Sequence, residues 1–228
     1  MQERPVHLLI DELSQILVEL SNNVVDNFLD ALHTVKQCDK QSAAHIRVIE
    51  GQMKQLEITL EERCLAFLAT KQPVAKDLRA IITIIKINDD LKHIGSLAVH
   101  IIDRMPAVSH DMLESLEFEN IALYAGEMVK KSIEAFTARD SVLAMQVCEM
   151  DETIDAIHRK VFRRVTSKMK CPNSDVEQLI AALSISRYIE RMADHAARIA
   201  HEVVFLVTGK IIRHADCSYE HLISSMQD

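Results

Sequence analysis

Residues 5–35 read PVHLLIDELSQILVELSNNVVDNFLDALHTV, and this stretch decides the fold class. Its apolar side chains fall at Leu9, Leu13, Ile16, Leu17, Leu20, Val24, Phe28 and Leu32. The steps are mostly three and four residues, the period of one helix face; a half-buried strand would alternate every second residue. Pro5 suits a first helical turn, where its missing N–H costs nothing. Gln37-Cys38-Asp39-Lys40 breaks the pattern.

The period then recurs. A second helix is predicted over 42–70, through Ile46, Ile49, Met53, Leu56, Leu60, Cys64 and Phe67, and it must end before Pro73. A third is predicted over 76–104, through Leu78, Ile81, Ile85, Leu91, Ile94, Ala98 and Ile101, ended by Pro106. Three more follow, over 111–138, over 141–169, and from a capping box at Ser174-Asp-Val-Glu177 to Thr208, with Gly209 in the stop position. At ~1.5 Å per residue, helices of this size are ~45 Å long. Short links make neighbours antiparallel. The expected fold is therefore all-α: two tandem three-helix bundles, residues 1–108 and 109–215, with a polar tail over 216–228.

Composition agrees. The 228 residues are 48% hydrophobic and 26% charged, ordinary for a globular chain. Glycine and proline number four each, where average usage gives about 16 and 11. A sandwich or barrel needs more turn residues than that. No apolar run approaches the ~18 residues of a membrane span, and Met1-Gln-Glu-Arg lacks the apolar core of a signal peptide. Lys and Arg total 26 against 34 Asp and Glu, a net charge of −8. That balance offers no global attraction to nucleic acid or anionic lipid. The five cysteines (Cys38, Cys64, Cys148, Cys171, Cys217) form no CxxC and are expected to be reduced, cytosolic and structural.

The halves also align. A shift of 98 places Ile87 on Ile185, Leu91 on Ile189, Gly95 on Ala193 and Ile101 on Ile199. A shift of 101 places Glu50 on Asp151, Met53 on Ile154 and Leu60 on Val161. An internal duplication explains both.

Two carboxylate pairs stand out. Asp151 and Asp155 are four apart on the fifth helix, with His158 continuing the stripe; Glu190 and Asp194 are four apart on the sixth. Each pair shares one helix face beside apolar residues, so the pairs lie near a helix seam. Anions four apart repel, and two facing pairs repel more. Hard carboxylate oxygens suit iron, manganese, magnesium or zinc. The alternative is neutralisation of a polar face by Arg159, Arg187, Arg191 and solvent. Met53 and Met192 fall at core spacing, and Tyr188 reads as a packing residue. Asp89 and Asp90 are adjacent and point apart, so with His93 they make no ligand set. Asp77, in a first turn, reads as structural.

The segment Ile189-Glu-Arg-Met-Ala-Asp-His-Ala-Ala-Arg-Ile-Ala, with Glu202-Val-Val-Phe-Leu-Val-Thr-Gly209, resembles the signature of the PhoU family. Gln72-Pro-Val-Ala-Lys-Asp-Leu-Arg79 and Val48-Ile-Glu-Gly51 resemble that family's second helix and its following link. The resemblance covers nearly the whole chain. It implies two tandem three-helix bundles and a cytoplasmic, non-enzymatic regulator of phosphate uptake and phosphate-responsive signalling, with no catalytic residues. It implies contacts with the ATPase subunit of a phosphate importer and with a sensor histidine kinase, a homodimer, and multinuclear iron or zinc. On that pattern Asp151, Asp155, Glu190 and Asp194 are the metal ligands; His158 lies outside the pattern and is a further candidate by its position on the stripe alone.

The first half departs from the pattern. The family's Glu-Arg-Ile-Gly-Asp becomes Lys92-His93-Ile94-Gly95-Ser96, and Lys54 stands one turn from Glu50. Glu50, Lys54, Lys92 and Ser96 thus form a pseudo-site expected to be metal-free. Lys92 is expected either to pair with Glu50 across the helices or to stand with it in water. Two alternatives remain for function: an accessory of a different phosphate transporter, and a carboxylate-bridged metalloenzyme, for which Asp155-Ala-Ile-His158 is the nearest approach to a di-iron motif.

Overall fold

A computed structural model describes residues 5–212. The elements are α1 (Pro5–Gln37), α2 (Lys40–Lys71), α3 (Ala75–Ile102), a 3-10 turn (Met105–Ala107), α4 (His110–Ser115), α5 (Phe118–Ala138), α6 (Ser141–Met169) and α7 (Val176–Thr208). The tail expected over 216–228 lies outside the described residues. Helices α1, α2 and α3 pack on one another, as do α5, α6 and α7; α1 against α5 and α3 against α7 join the two sets. One continuous core runs through both, including Leu17, Phe28 and Leu91 on one side and Phe118, Met128 and Ile189 on the other. Met53 and Met192 are buried in it, as their spacing predicts.

The helix ends follow capping chemistry. Asp39 accepts from the Gln41 N–H at 2.9 Å, and Asp140 accepts from Val142 and Leu143. An anionic acceptor there satisfies orphan N–H groups and complements the helix dipole. The same preference displaces the predicted capping box. Asp175, not Ser174, caps α7, accepting from the Gln178 N–H at 3.0 Å, while the Ser174 hydroxyl donates to the Met169 carbonyl. Gly209 closes α7 at φ +76°. Elsewhere non-glycine residues take positive φ: Cys38, Gln72, Ala75, Glu117, Arg139 and Asn173.

The helix predicted over 111–138 is broken in two. Ser109 caps the short α4, and Glu117 at φ +53° separates it from α5. The break has a packing cause. Leu113, Leu116 and Phe118 are all buried, and steps of three and two cannot share one helix face.

The duplication is visible where α3 meets α7. Arg198 lies 3.2 Å from Asp90, and the His100 and Tyr188 rings are 5.5 Å apart. The shift of 98 maps one pair onto the other, because 188 − 90 = 198 − 100 = 98. Tyr188 also accepts from Arg104 at 3.2 Å, which makes it a packing residue between the bundles.

Candidate metal centre

Helix α6 packs along α7, with Ile154 and Val161 buried on one and Ile189 and Met192 on the other. That seam turns the carboxylates of both helices toward each other. Asp155, Glu190 and Asp194 each place one oxygen so that all lie within 4.8 Å of one another. Among the described residues this is the group of acids, histidines and cysteines so gathered. Glu190 is 6% exposed, while Asp155 and Asp194 are half-buried. Asp151 stands one turn away, outside the group, though its charge still acts on Glu190.

The electrostatics match the geometry. Burial, and then the Asp194 charge, push the Glu190 carboxyl up to about 7, against the opposing pull of Arg187. Burial and the Asp155 charge also raise Asp194. Arg187 donates to Glu190 Oε1, and Arg159 reaches Asp155 Oδ2 at 3.5 Å. The arginines expected to neutralise this face therefore do so in part. They leave Glu190 Oε2 buried with no hydrogen-bond partner. Three hard oxygens and one orphaned buried acceptor fit a cation.

His158 is not brought into the group. Its Nδ1 lies 2.8 Å from the Ser186 hydroxyl, tying α6 to α7, and burial lowers its pKa. The pseudo-site of the first bundle satisfies itself locally. Lys54 pairs with Glu50 at 2.6 Å, Lys92 pairs with Asp89, and the Ser96 hydroxyl donates to the His93 carbonyl at 2.7 Å. The pairing of Lys92 with Glu50 is thus not formed. Each finds an opposite charge one turn along its own helix, where a salt bridge restrains the fewest rotors.

Sequence reasoning missed one polar cluster. Asp90 is buried between the bundles, where His195 Nδ1 donates to its carboxylate at 2.8 Å and the His93 ring stacks on His195 at 5.3 Å. The signal was present: Thr83, Ile87, Asp90, Ile94, Leu97 and Ile101 step by four and three, so Asp90 occupies a core position. Asp89, by contrast, faces outward to Lys92, as the divergence of adjacent positions predicts.

The comparisons follow this architecture. The model of the PhoU domain family matches residues 17–105 and 118–203. A Pseudomonas putida protein named phosphate-specific transport system accessory protein PhoU homolog is 31% identical over 209 residues, covering 90% of this chain and 81% of that protein. A Thermotoga maritima homolog is 27% identical, covering 91% and 89%. The crystal structure of the phosphate transport system regulatory protein PhoU from Streptococcus pneumoniae superimposes with a TM-score of 0.83 at 25% identity, over 90% of this chain and 98% of that one. PhoU from Pseudomonas aeruginosa gives 0.70 at 29% identity, over 90% and 96%. With both of its helical halves matched by the domain model, in a fold shared with those structures, this chain belongs to the PhoU family.

Proposed function

We propose that the chain is a non-enzymatic, cytoplasmic regulator of phosphate uptake. It acts as an adaptor that contacts the ATPase subunit of a phosphate importer and a sensor histidine kinase, and it works as a homodimer. The names of the relatives support the link to phosphate transport. No described helix is long and apolar enough to cross a membrane, which suits an adaptor that meets the importer at its surface.

Asp155, Glu190 and Asp194 hold iron or zinc in this reading, with Asp151 beside them. The metal supplies the positive charge that the buried carboxylates lack. The observation that carries this part is the convergence of three carboxylates in the second bundle, against the self-neutralised Glu50–Lys54 and Asp89–Lys92 pairs of the first. The first bundle accordingly holds no metal.

Elemental mass spectrometry on untagged protein purified without chelator tests the metal. Metal per chain should fall in Glu190→Ala/Asp194→Ala and persist in Lys92→Ala/Ser96→Ala. Equal metal in all three proteins removes the assignment. A deletion strain tests the regulatory role: phosphate uptake or phosphate-dependent expression should change, and unaltered control would refute it. The changed pseudo-site favours a second reading, service to a different phosphate transporter. Binding assays against components of both transporter types separate the two.

A further inference from the structure

Helix α2 is apolar on two sides. Its inward side chains, Ala43, Ile46, Met53, Leu60, Cys64 and Phe67, are buried in the core. Its outward face carries a second regular line: Ala44, Val48, Gly51, Gln55, Ile58, Glu62, Leu65 and Ala69. These residues step by four and three throughout, the spacing of a helix-packing seam. Over 25 residues the seam runs ~37 Å. Val48 is 56% exposed, Ile58 44% and Leu65 53%. No cation stands on the line.

The second bundle supplies an internal control. The shift of 101 places Val48, Gly51, Ile58, Glu62 and Leu65 on Glu149, Glu152, Arg159, Arg163 and Thr166 of α6, all exposed. At these five positions the same helix of the same fold is polar throughout in one half and mostly apolar in the other, although α6 exposes Val142 and Phe162 elsewhere. The exposed line is therefore not a requirement of the bundle.

We infer that this face of α2 docks on the same face of a second copy of the chain, with the two helices antiparallel. The inference deepens the homodimer of the proposed function by assigning its surface. The seam is self-complementary when reversed about its midpoint between Gln55 and Ile58. Ala44 meets the partner's Ala69, Val48 the partner's Leu65, Gly51 the partner's Glu62 and Gln55 the partner's Ile58. Small faces small at the ends, Val48 meets Leu65, and the polar Gln55 and Glu62 lie against Ile58 and Gly51. Charge agrees with this direction. Lys54 and Glu61 flank the same edge of the seam and both are exposed; Lys54 also bridges Glu50 of its own helix, with its side chain 57% exposed and donors to spare. Antiparallel helices bring like edges together, so each Lys54 lies beside the partner's Glu61, twice by symmetry. Parallel helices bring opposite edges together and set Lys54 toward Thr59 and Glu61 toward Ala66, without complement. A single helix seam is smaller than the ~800 Å² per partner of a standard interface, so the dimer should be concentration-dependent.

Sedimentation equilibrium on the full chain, from about 1 to about 200 µM, tests the assembly. The wild type should shift from monomer to dimer. Ile58→Arg and Leu65→Arg should each weaken dimerisation at least tenfold. Arg163→Glu, on the matching face of α6, should leave it unchanged. Circular dichroism of these surface variants checks that each folds. For orientation, Val48→Cys and Leu65→Cys are made separately in a background with Cys38, Cys171 and Cys217 changed to Ser. Antiparallel docking predicts a disulfide-linked species only when the two variants are mixed and oxidised. Self-linked Val48→Cys dimers would overturn the orientation. A wild-type dimer indifferent to Ile58→Arg and Leu65→Arg would overturn the surface and leave the homodimer standing. A wild type that stays monomeric would overturn both.

Discussion

Replacing Glu190 with Gln should stabilise the metal-stripped protein at alkaline pH and change little at acid pH. The carboxyl is held at about 7, against 4.5 for a free Glu, because it is buried beside Asp194. A carboxyl whose folded pKa is raised stabilises the fold only while it is protonated. The contribution is complete below about pH 4.5 and is lost as pH rises through about 7. At pH 8 the ionised Glu190 costs about 2.5 units at 1.36 kcal/mol each, or ~3 kcal/mol. Gln keeps the shape and the acceptor for Arg187 and removes the charge. In a chain of this size ~3 kcal/mol moves Tm by about 6–12 °C. The assay is thermal melting of wild type and Glu190→Gln in chelator at pH 5 and pH 8. The curves should nearly coincide at pH 5, with the variant melting higher at pH 8. Added metal should then raise the wild type by ~2.7 kcal/mol at a hundredfold excess over Kd, and the variant much less. An equal gap at both pH values would refute the argument, because the effect would then owe nothing to the buried charge.

Burial and backbone geometry set four further outcomes. Asp90→Ala removes the acceptor for His195 and Arg198 between the bundles and should cost about 2–3 kcal/mol by urea unfolding. Asp89→Ala, at an exposed pair on the adjacent residue, should stay within ~0.5 kcal/mol. Glu117→Gly relieves a left-handed backbone and should raise stability by about 0.5–1 kcal/mol, read by thermal melting. In native protein at pH 8, Cys38 and Cys171 should react rapidly with a thiol reagent. Cys64, buried and with its thiol pushed up to about 12, should react only on unfolding, as peptide mapping would report.

The helices were legible because burying one face of a long helix forces a repeat of three and four, and that repeat is written directly in residue type. The turns were less so. Glycine is the usual mark of a left-handed cap, and here Cys38, Gln72, Glu117 and Arg139 take that conformation while Gly51, Gly95 and Gly126 lie inside helices. All four are exposed residues at helix ends, where closing or starting the helix imposes the conformation whatever the residue, so residue type does not mark them. The site divides the same way. Spacing along one helix singled out Asp151 with Asp155 and Glu190 with Asp194, since residues four apart must share a face. It could not show that Asp151 stops short, that His158 turns to Ser186, or that Lys92 prefers Asp89 to Glu50. Those outcomes depend on the rotation of one helix against another.

The duplication turns these details into an argument about function. The shift of 98 sets Glu190 and Asp194 on Lys92 and Ser96, and the shift of 101 sets Asp151 and Asp155 on Glu50 and Lys54. The scaffold at both places is a pair of packed antiparallel helices, so side-chain charge alone separates the two outcomes. In the second bundle three carboxylates converge and Glu190 Oε2 is buried without a hydrogen-bond partner, a deficit that a cation removes. In the first bundle the lysines have removed that deficit from within. The outer faces differ in the opposite sense: Val48, Ile58 and Leu65 are apolar where Glu149, Arg159 and Thr166 are polar. The half whose pseudo-site is neutralised by its own lysines is also the half that carries the Val48, Ile58 and Leu65 line. On the proposed reading, ligand binding falls to one bundle and assembly to the other. That division predicts that Glu190→Ala/Asp194→Ala should abolish metal without changing the dimer mass, while Leu65→Arg should abolish the dimer without changing metal per chain. A variant of either kind that lost both properties would show the two bundles to be coupled and would end the case for a division of roles.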